Sequence, residues 1–301
     1  MTDSETKHAI RMILIFTSLG GMSYLSFNNG LLLAYFSFLG IPSATILILL
    51  ALLPLSQFVF MIPFSYLSDI YGKKLIGNFG MVFSIIGFFL LIIASIVPES
   101  YRTWAIGLGV TVFGTGSALN IGNWFALLHP IIPENIRGRF FGRLRLTWQS
   151  VGIIFTLVVI YILEQYPTLG MYQAVMAVIT ILLAVRIFFY QRIPELEKVL
   201  PKKETFRKSF LKVLAIPEYL PFCAYCFLLT LFTGACPQIF NLIEKDVLDM
   251  SKVEIVFLGN LLVVGALAGF FLGGRMVDRF GTKYVFLCCH FGFSSILFLF
   301  L

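Results

Sequence analysis

The sequence predicts an all-α protein embedded in a lipid bilayer, and three observations carry that expectation. Of its 301 residues, 59% are hydrophobic and 12% charged, with a mean hydropathy of +0.94. A soluble domain is about 45–50% apolar and about 25% charged, so this surface is composed for lipid. Apolar windows recur along the whole chain, each near the ~20 helical residues that cross ~30 Å of hydrocarbon. Lys and Arg gather in alternate loops, the pattern that sets orientation in a membrane.

Nine windows read as spans: 10–38, 44–67, 75–97, 103–128, 146–163, 171–190, 219–243, 255–272 and 284–301. Backbone groups in lipid must be satisfied within the segment, so each is expected to be a helix. Residues 1–8 are short and polar, and the first apolar stretch is far longer than a signal-peptide core, so no cleavage is expected. Pro54 and Pro63 in the second span and Pro237 in the seventh are expected to bend their helices. In the eighth, Gly265, Gly269 and Gly273 repeat every four residues, a pattern for close helix contact.

A six-helix bundle is expected over 1–190 and three further helices over 219–301. Between them, the polar stretch 191–218 holds Pro194, Pro201 and Pro217. Within it Phe206, Phe210, Leu211, Val213 and Leu214 alternate with Lys202, Lys203, Arg207, Lys208 and Lys212 at roughly helical spacing. Such a basic amphipathic helix is expected on the inner leaflet, apolar side down.

Of the 22 Lys and Arg, all but Arg102, Lys245 and Lys252 fall on the side of the N-terminus. The N-terminus is therefore expected in the cytoplasm, the protein being a multi-pass one of a bacterial inner membrane and a monomer. A net charge of +7 spread between apolar runs does not build the wetted basic face that a nucleic acid needs, so no nucleic-acid partner is expected. The five cysteines all lie inside apolar runs, where a thiol packs as a small hydrophobe; neither disulfide, metal nor other cofactor is implied.

Two loops repeat. The chain reads SYLSDIYGKK at 65–74 and GRMVDRFGTK at 274–283, so that Asp69, Gly72 and Lys74 recur in register as Asp278, Gly281 and Lys283. A repeat after six spans marks a second unit built like the first. Both loops resemble the G-x-x-x-D-R-x-G-R-R signature of the major facilitator superfamily. The second matches at Gly274, Asp278, Arg279 and Gly281; the first has Ser65 and Ile70 in place of the leading Gly and the Arg. PENIRGRFFG at 133–142 resembles that family's E-x-x-R-G-R-x-x-G loop.

The resemblance implies a fold of two six-helix halves, so a chain stopping inside its ninth span is expected to be a truncated form with an incomplete C-terminal half. It further implies a cytoplasmic latch, carried here to Asp69, Lys73, Lys74, Arg137 and Arg139 with the turn glycine Gly72, and to Gly274, Asp278, Arg279 and Gly281. Physically, a glycine allows the tight turn, and charge-assisted pairs at helix ends bias one packing of the helices over another.

Intramembrane polar groups are costly against lipid, so polar stripes point toward a pathway. Tyr24 and Asn28 in the first span, Asn120, Asn123 and Trp124 in the fourth, Gln149 in the fifth, and Thr230, Thr233, Gln238 and Asn241 in the seventh are the cavity candidates. The family arrangement lines its cavity with spans one, four, seven and ten. No Asp, Glu, Lys or Arg lies near the middle of a span, which disfavours proton coupling through this part of the chain. Amides, hydroxyls and rings suit a small, neutral or weakly charged polar solute, with or without a coupling ion.

The function expected is secondary active transport by alternating access. A carrier-like sensor or scaffold without flux is the alternative. An enzyme is disfavoured: H-E-x-x-H and G-x-S-x-G are absent, and His8, His129 and His290 are scattered.

Overall fold

The computed structural model describes residues 3–133, 136–196 and 205–299. Within them the chain is helical: α1 Asp3–Asn28, α2 Leu31–Phe38, α3 Ser43–Tyr71, α4 Lys73–Ile93, α5 Glu99–Leu128 and α6 Arg137–Gln165. There follow α7 Leu169–Gln191, α8 Phe206–Leu214, α9 Tyr219–Thr233, α10 Cys236–Asp246, α11 Lys252–Phe280 and α12 Thr282–Leu299. Among the described residues, 8 helical stretches are long and apolar enough to cross a membrane. The ninth predicted window is occupied by α12. Large apolar side chains such as Ile48, Phe58, Phe89 and Phe188 are exposed, as a lipid-facing perimeter requires.

Two predicted spans are broken helices. The first divides between α1 and α2 at Asn29 and Gly30, the latter at φ 80. The Asn29 side chain serves both sides of this break: its Oδ1 accepts from Leu31 N (3.2 Å) and its Nδ2 donates to Thr156 Oγ1 (3.3 Å). The seventh divides at Gly234 and Ala235, so that Pro237 sits in the first turn of α10, where its missing N–H costs nothing. By contrast α3 runs unbroken through Pro54 and Pro63. The amphipathic α8 forms in the linker, and its Phe206 meets the Tyr66 ring edge-on at 5.3 Å.

Helices α4 and α5 approach to backbone contact. A Cβ at Gly116 would stand 2.5 Å from the Gly80 carbonyl oxygen, and one at Gly87 would stand 2.5 Å from Phe113 N. Gly109 and Gly116 therefore face α4, while Phe113 and Asn120, which follow them in turn on α5, face the cavity described below.

At the end of the bundle remote from the N-terminus, α11 packs on α2 and α6, and α10 on α3. Here Lys245 Nζ donates to Ser43 Oγ (2.5 Å) and pairs with Asp246 Oδ1 (3.1 Å), to which Ser43 Oγ also donates (3.1 Å). Lys252 Nζ lies 4.6 Å from the centre of the Phe38 ring. The α11 glycine that makes close contact is Gly259, against Asn29. The predicted stripe departs from expectation: among the described atoms nothing lies within 4 Å of a Cβ at Gly265, Gly269 or Gly273.

Candidate functional site

A cavity of about 420 Å³ opens among α1, α4, α5, α6 and α7, bordered by Phe16, Thr17 and Tyr24 of α1, Asn120 and Trp124 of α5, Trp148 of α6 and Arg186 of α7. Its walls are largely apolar, with several aromatic rings among them. Phe16 packs on Trp124 and on Tyr190 with ring centroids 5.1 Å apart in each case. Two glycines of α1 make room: a methyl at Gly21 would stand 2.8 Å from Trp148 Cε3, and one at Gly20 would overlap the Arg186 guanidinium.

Arg186 is 9% exposed and continues the buried face of α7 set by Tyr172, Val175, Met176, Ile179, Leu183 and Tyr190. Its Cζ lies 5.0 Å from the centre of the Phe16 ring, a cation–π contact. Its Nε is buried without a hydrogen-bond partner, as is Thr17 Oγ1. Arg145 of α6 borders the same cavity. Counted from sequence among the inner-side loop cations, Arg186 instead places charge inside the helix bundle. The signal was present, because it stands in phase with the apolar stripe of its own helix.

The candidates read from sequence separate into groups. Tyr24, Asn120 and Trp124 border the cavity. Asn28 lies at the far end of α1 and donates to Tyr24 O (3.1 Å). Asn123 is buried outside the lining and donates to the Lys73 carbonyl (3.0 Å). Gln149 is buried beside Trp148, its Oε1 without a partner. On the other half, Thr230 is exposed on α9, Thr233 donates to Leu229 O (2.7 Å), and Gln238 and Asn241 stand on α10, the latter buried with Nδ2 unpartnered. None of these four borders the cavity.

At the N-terminal end, the latch candidates surround a tight turn. Gly72, at φ 102, is the one-residue joint between α3 and α4, and Gly281, at φ 84, is the matching joint between α11 and α12. Asp69 is exposed three residues before Gly72. Lys73 is buried; its N–H donates to Glu195 Oε1 (2.6 Å), and its carbonyl accepts from both Asn123 and the Tyr190 hydroxyl (3.2 Å). Lys74 Nζ donates to Gln191 O (2.7 Å). The start of α4 is thereby tied to the end of α7, through a Glu195 that sequence reasoning did not single out. Arg279 places its Cζ 5.3 Å from the Phe280 ring centre. Beyond their places in α6 and α11, Arg137, Arg139, Gly274 and Asp278 lie outside the described residues.

No curated protein matches the chain. The family model for the Major Facilitator Superfamily matches residues 12–301, so the chain belongs to that family of membrane transporters.

Proposed function

We infer that the protein is a secondary carrier that moves a small, neutral or weakly charged polar solute by alternating access. The observation that carries this reading is the pairing of an internal cavity with one-sided closure. The cavity opens among α1, α4, α5, α6 and α7, while α10 and α11 pack on α2, α3 and α6 at the end remote from the N-terminus. A bundle closed at one end around a recess is one of the two arrangements that a rocking carrier needs. With the N-terminus in the cytoplasm, as the cation asymmetry supports, this is the inward-facing arrangement.

Residues 1–190 form one rocking unit and 219–301 belong to the other, joined by the 191–218 linker. Asp69, Gly72, Lys73 and Lys74, together with Arg279 and Gly281 of the second loop, act as the inner latch. Their support is the network that ties Lys73 and Lys74 to Glu195 and Gln191. Tyr24, Asn120 and Trp124 contact the solute.

Reconstitution into liposomes tests this reading. Saturable, stereoselective uptake across a solute panel is the expected outcome, and Asp69→Asn is expected to impair flux while insertion stays intact. Binding of a panel solute with no flux in either direction favours a sensor over a carrier.

A further inference from the structure

The cavity holds a charge with no counter-charge beside it among the described residues. A buried cation needs a counter-charge or a full set of hydrogen bonds to be tolerated. Among the described residues, Arg186 has the Phe16 ring at 5.0 Å and no acceptor at Nε. A ring face attracts the cation, but it leaves the in-plane N–H groups of the guanidinium unused. Arg186 and Thr17 both line the cavity, and the Thr17 hydroxyl is likewise buried and unpartnered. Gly20 leaves the room in which the guanidinium sits, so the placement is built into two helices.

Resting on the carrier reading above, we propose that the solute is a small organic monoanion with an apolar body. Its carboxylate meets the fork of Arg186 and the Thr17 hydroxyl, and its body lies against Phe16, Trp124 and Trp148. The guanidinium fork matches a carboxylate in two parallel hydrogen bonds, a match that an ammonium does not provide. A monoanion is the weakly charged end of the solute class inferred above, so the charge requirement narrows that class.

The three tryptophans allow a direct test. Trp104 is 80% exposed, whereas Trp124 and Trp148 both border the cavity. The full chain carrying Trp104→Phe, in lipid nanodiscs, is titrated with benzoate, its neutral isostere benzamide, and benzylammonium, following tryptophan fluorescence. Saturable change with benzoate is expected, with benzamide weaker by about ten-fold or more and benzylammonium silent. Arg186→Gln is expected to reduce benzoate to the benzamide level, with Arg186→Lys between them.

If the Arg186 variants do not fold, the three-ligand comparison in the parent protein decides. Equal responses to benzoate and benzamide, no response to benzoate, or undiminished benzoate binding by folded Arg186→Gln overturns the proposal. Benzoate binding without benzoate flux in liposomes leaves the anion site standing and removes the carrier reading. Flux of a neutral solute that ignores benzoate does the opposite.

Discussion

Gly259 on α11 is seated against the backbone of Asn29: a Cβ there would come within 2.5 Å of the Asn29 carbonyl oxygen. Asn29 is also where the first span breaks, so contact between the halves and interruption of the helix are one feature. Backbone cannot step aside as a side-chain tip can. Gly259→Val is therefore expected to cost about 1–3 kcal/mol of the closed arrangement, the usual range for overpacking. A cysteine at Asn28, in a background without native cysteines, should react several-fold faster with an impermeant thiol reagent. Unchanged labelling would show that this contact does not hold the end shut. The neighbouring Lys245–Asp246 pair is partly exposed, 24% and 46%, so Asp246→Asn should shift closure by less than about 1 kcal/mol.

Asn120 and Asn123 are one helical turn apart on α5 yet do different work. Asn123 is 2% exposed and shares the Lys73 carbonyl with Tyr190, so Asn123→Ala removes one of two donors from a buried acceptor. That variant is expected to lose about 1–2 kcal/mol of stability, read as a lower Tm, with little change in KM. The Asn120 amide donates only to Gly116 O within its own helix (2.9 Å) and borders the cavity. Asn120→Ala should keep Tm and raise KM several-fold. A reversal of the two phenotypes would place the pathway on the opposite face of α5.

Gly20 allows the Arg186 charge to be moved without being removed. A methyl at Gly20 overlaps the guanidinium, which is the far end of a flexible side chain and can swing away. Alanine in place of glycine inside a helix gains about 0.5–1 kcal/mol, so Gly20→Ala should fold at least as well as the parent. Its benzoate response should nevertheless weaken about ten-fold, because the fork no longer meets the carboxylate squarely. An unaltered response at full stability would mean that the anion is read elsewhere.

The bundle was legible in the sequence because lipid imposes one rule on every span: an apolar window of sufficient length must be a helix. The turn glycines were legible through their repeat, since Gly72 and Gly281 both take positive φ. Window length alone does not reveal a break inside an apolar run. The interruption at Asn29 and Gly30 depends on Thr156 and Gly259, residues far along the chain. Polar stripes gave the helix faces only in part, because on α5 small residues serve packing and polar residues serve the cavity along one line. Arg186 escaped notice because it lies near the end of its span, where a cation is ordinarily a topology signal. Its phase with Ile179 and Leu183 carried the information.

Glycines that look alike in sequence are expected to separate by backbone and surroundings. Gly72 and Gly281 sit at φ 102 and 84, a region in which a Cβ meets its own backbone. Gly72→Ala and Gly281→Ala should each cost about 1–3 kcal/mol, and because each joint is a single residue the cost cannot spread along a loop. Gly265, Gly269 and Gly273 are helical, with no described atom near a Cβ built on them. Alanine at any of these should be neutral or stabilising by up to about 1 kcal/mol. Thermal unfolding of the five single variants in one detergent compares them directly. Equal destabilisation at Gly265, Gly269 and Gly273 would mean that α11 presses against another helix in the membrane, and that the stripe is a contact surface after all.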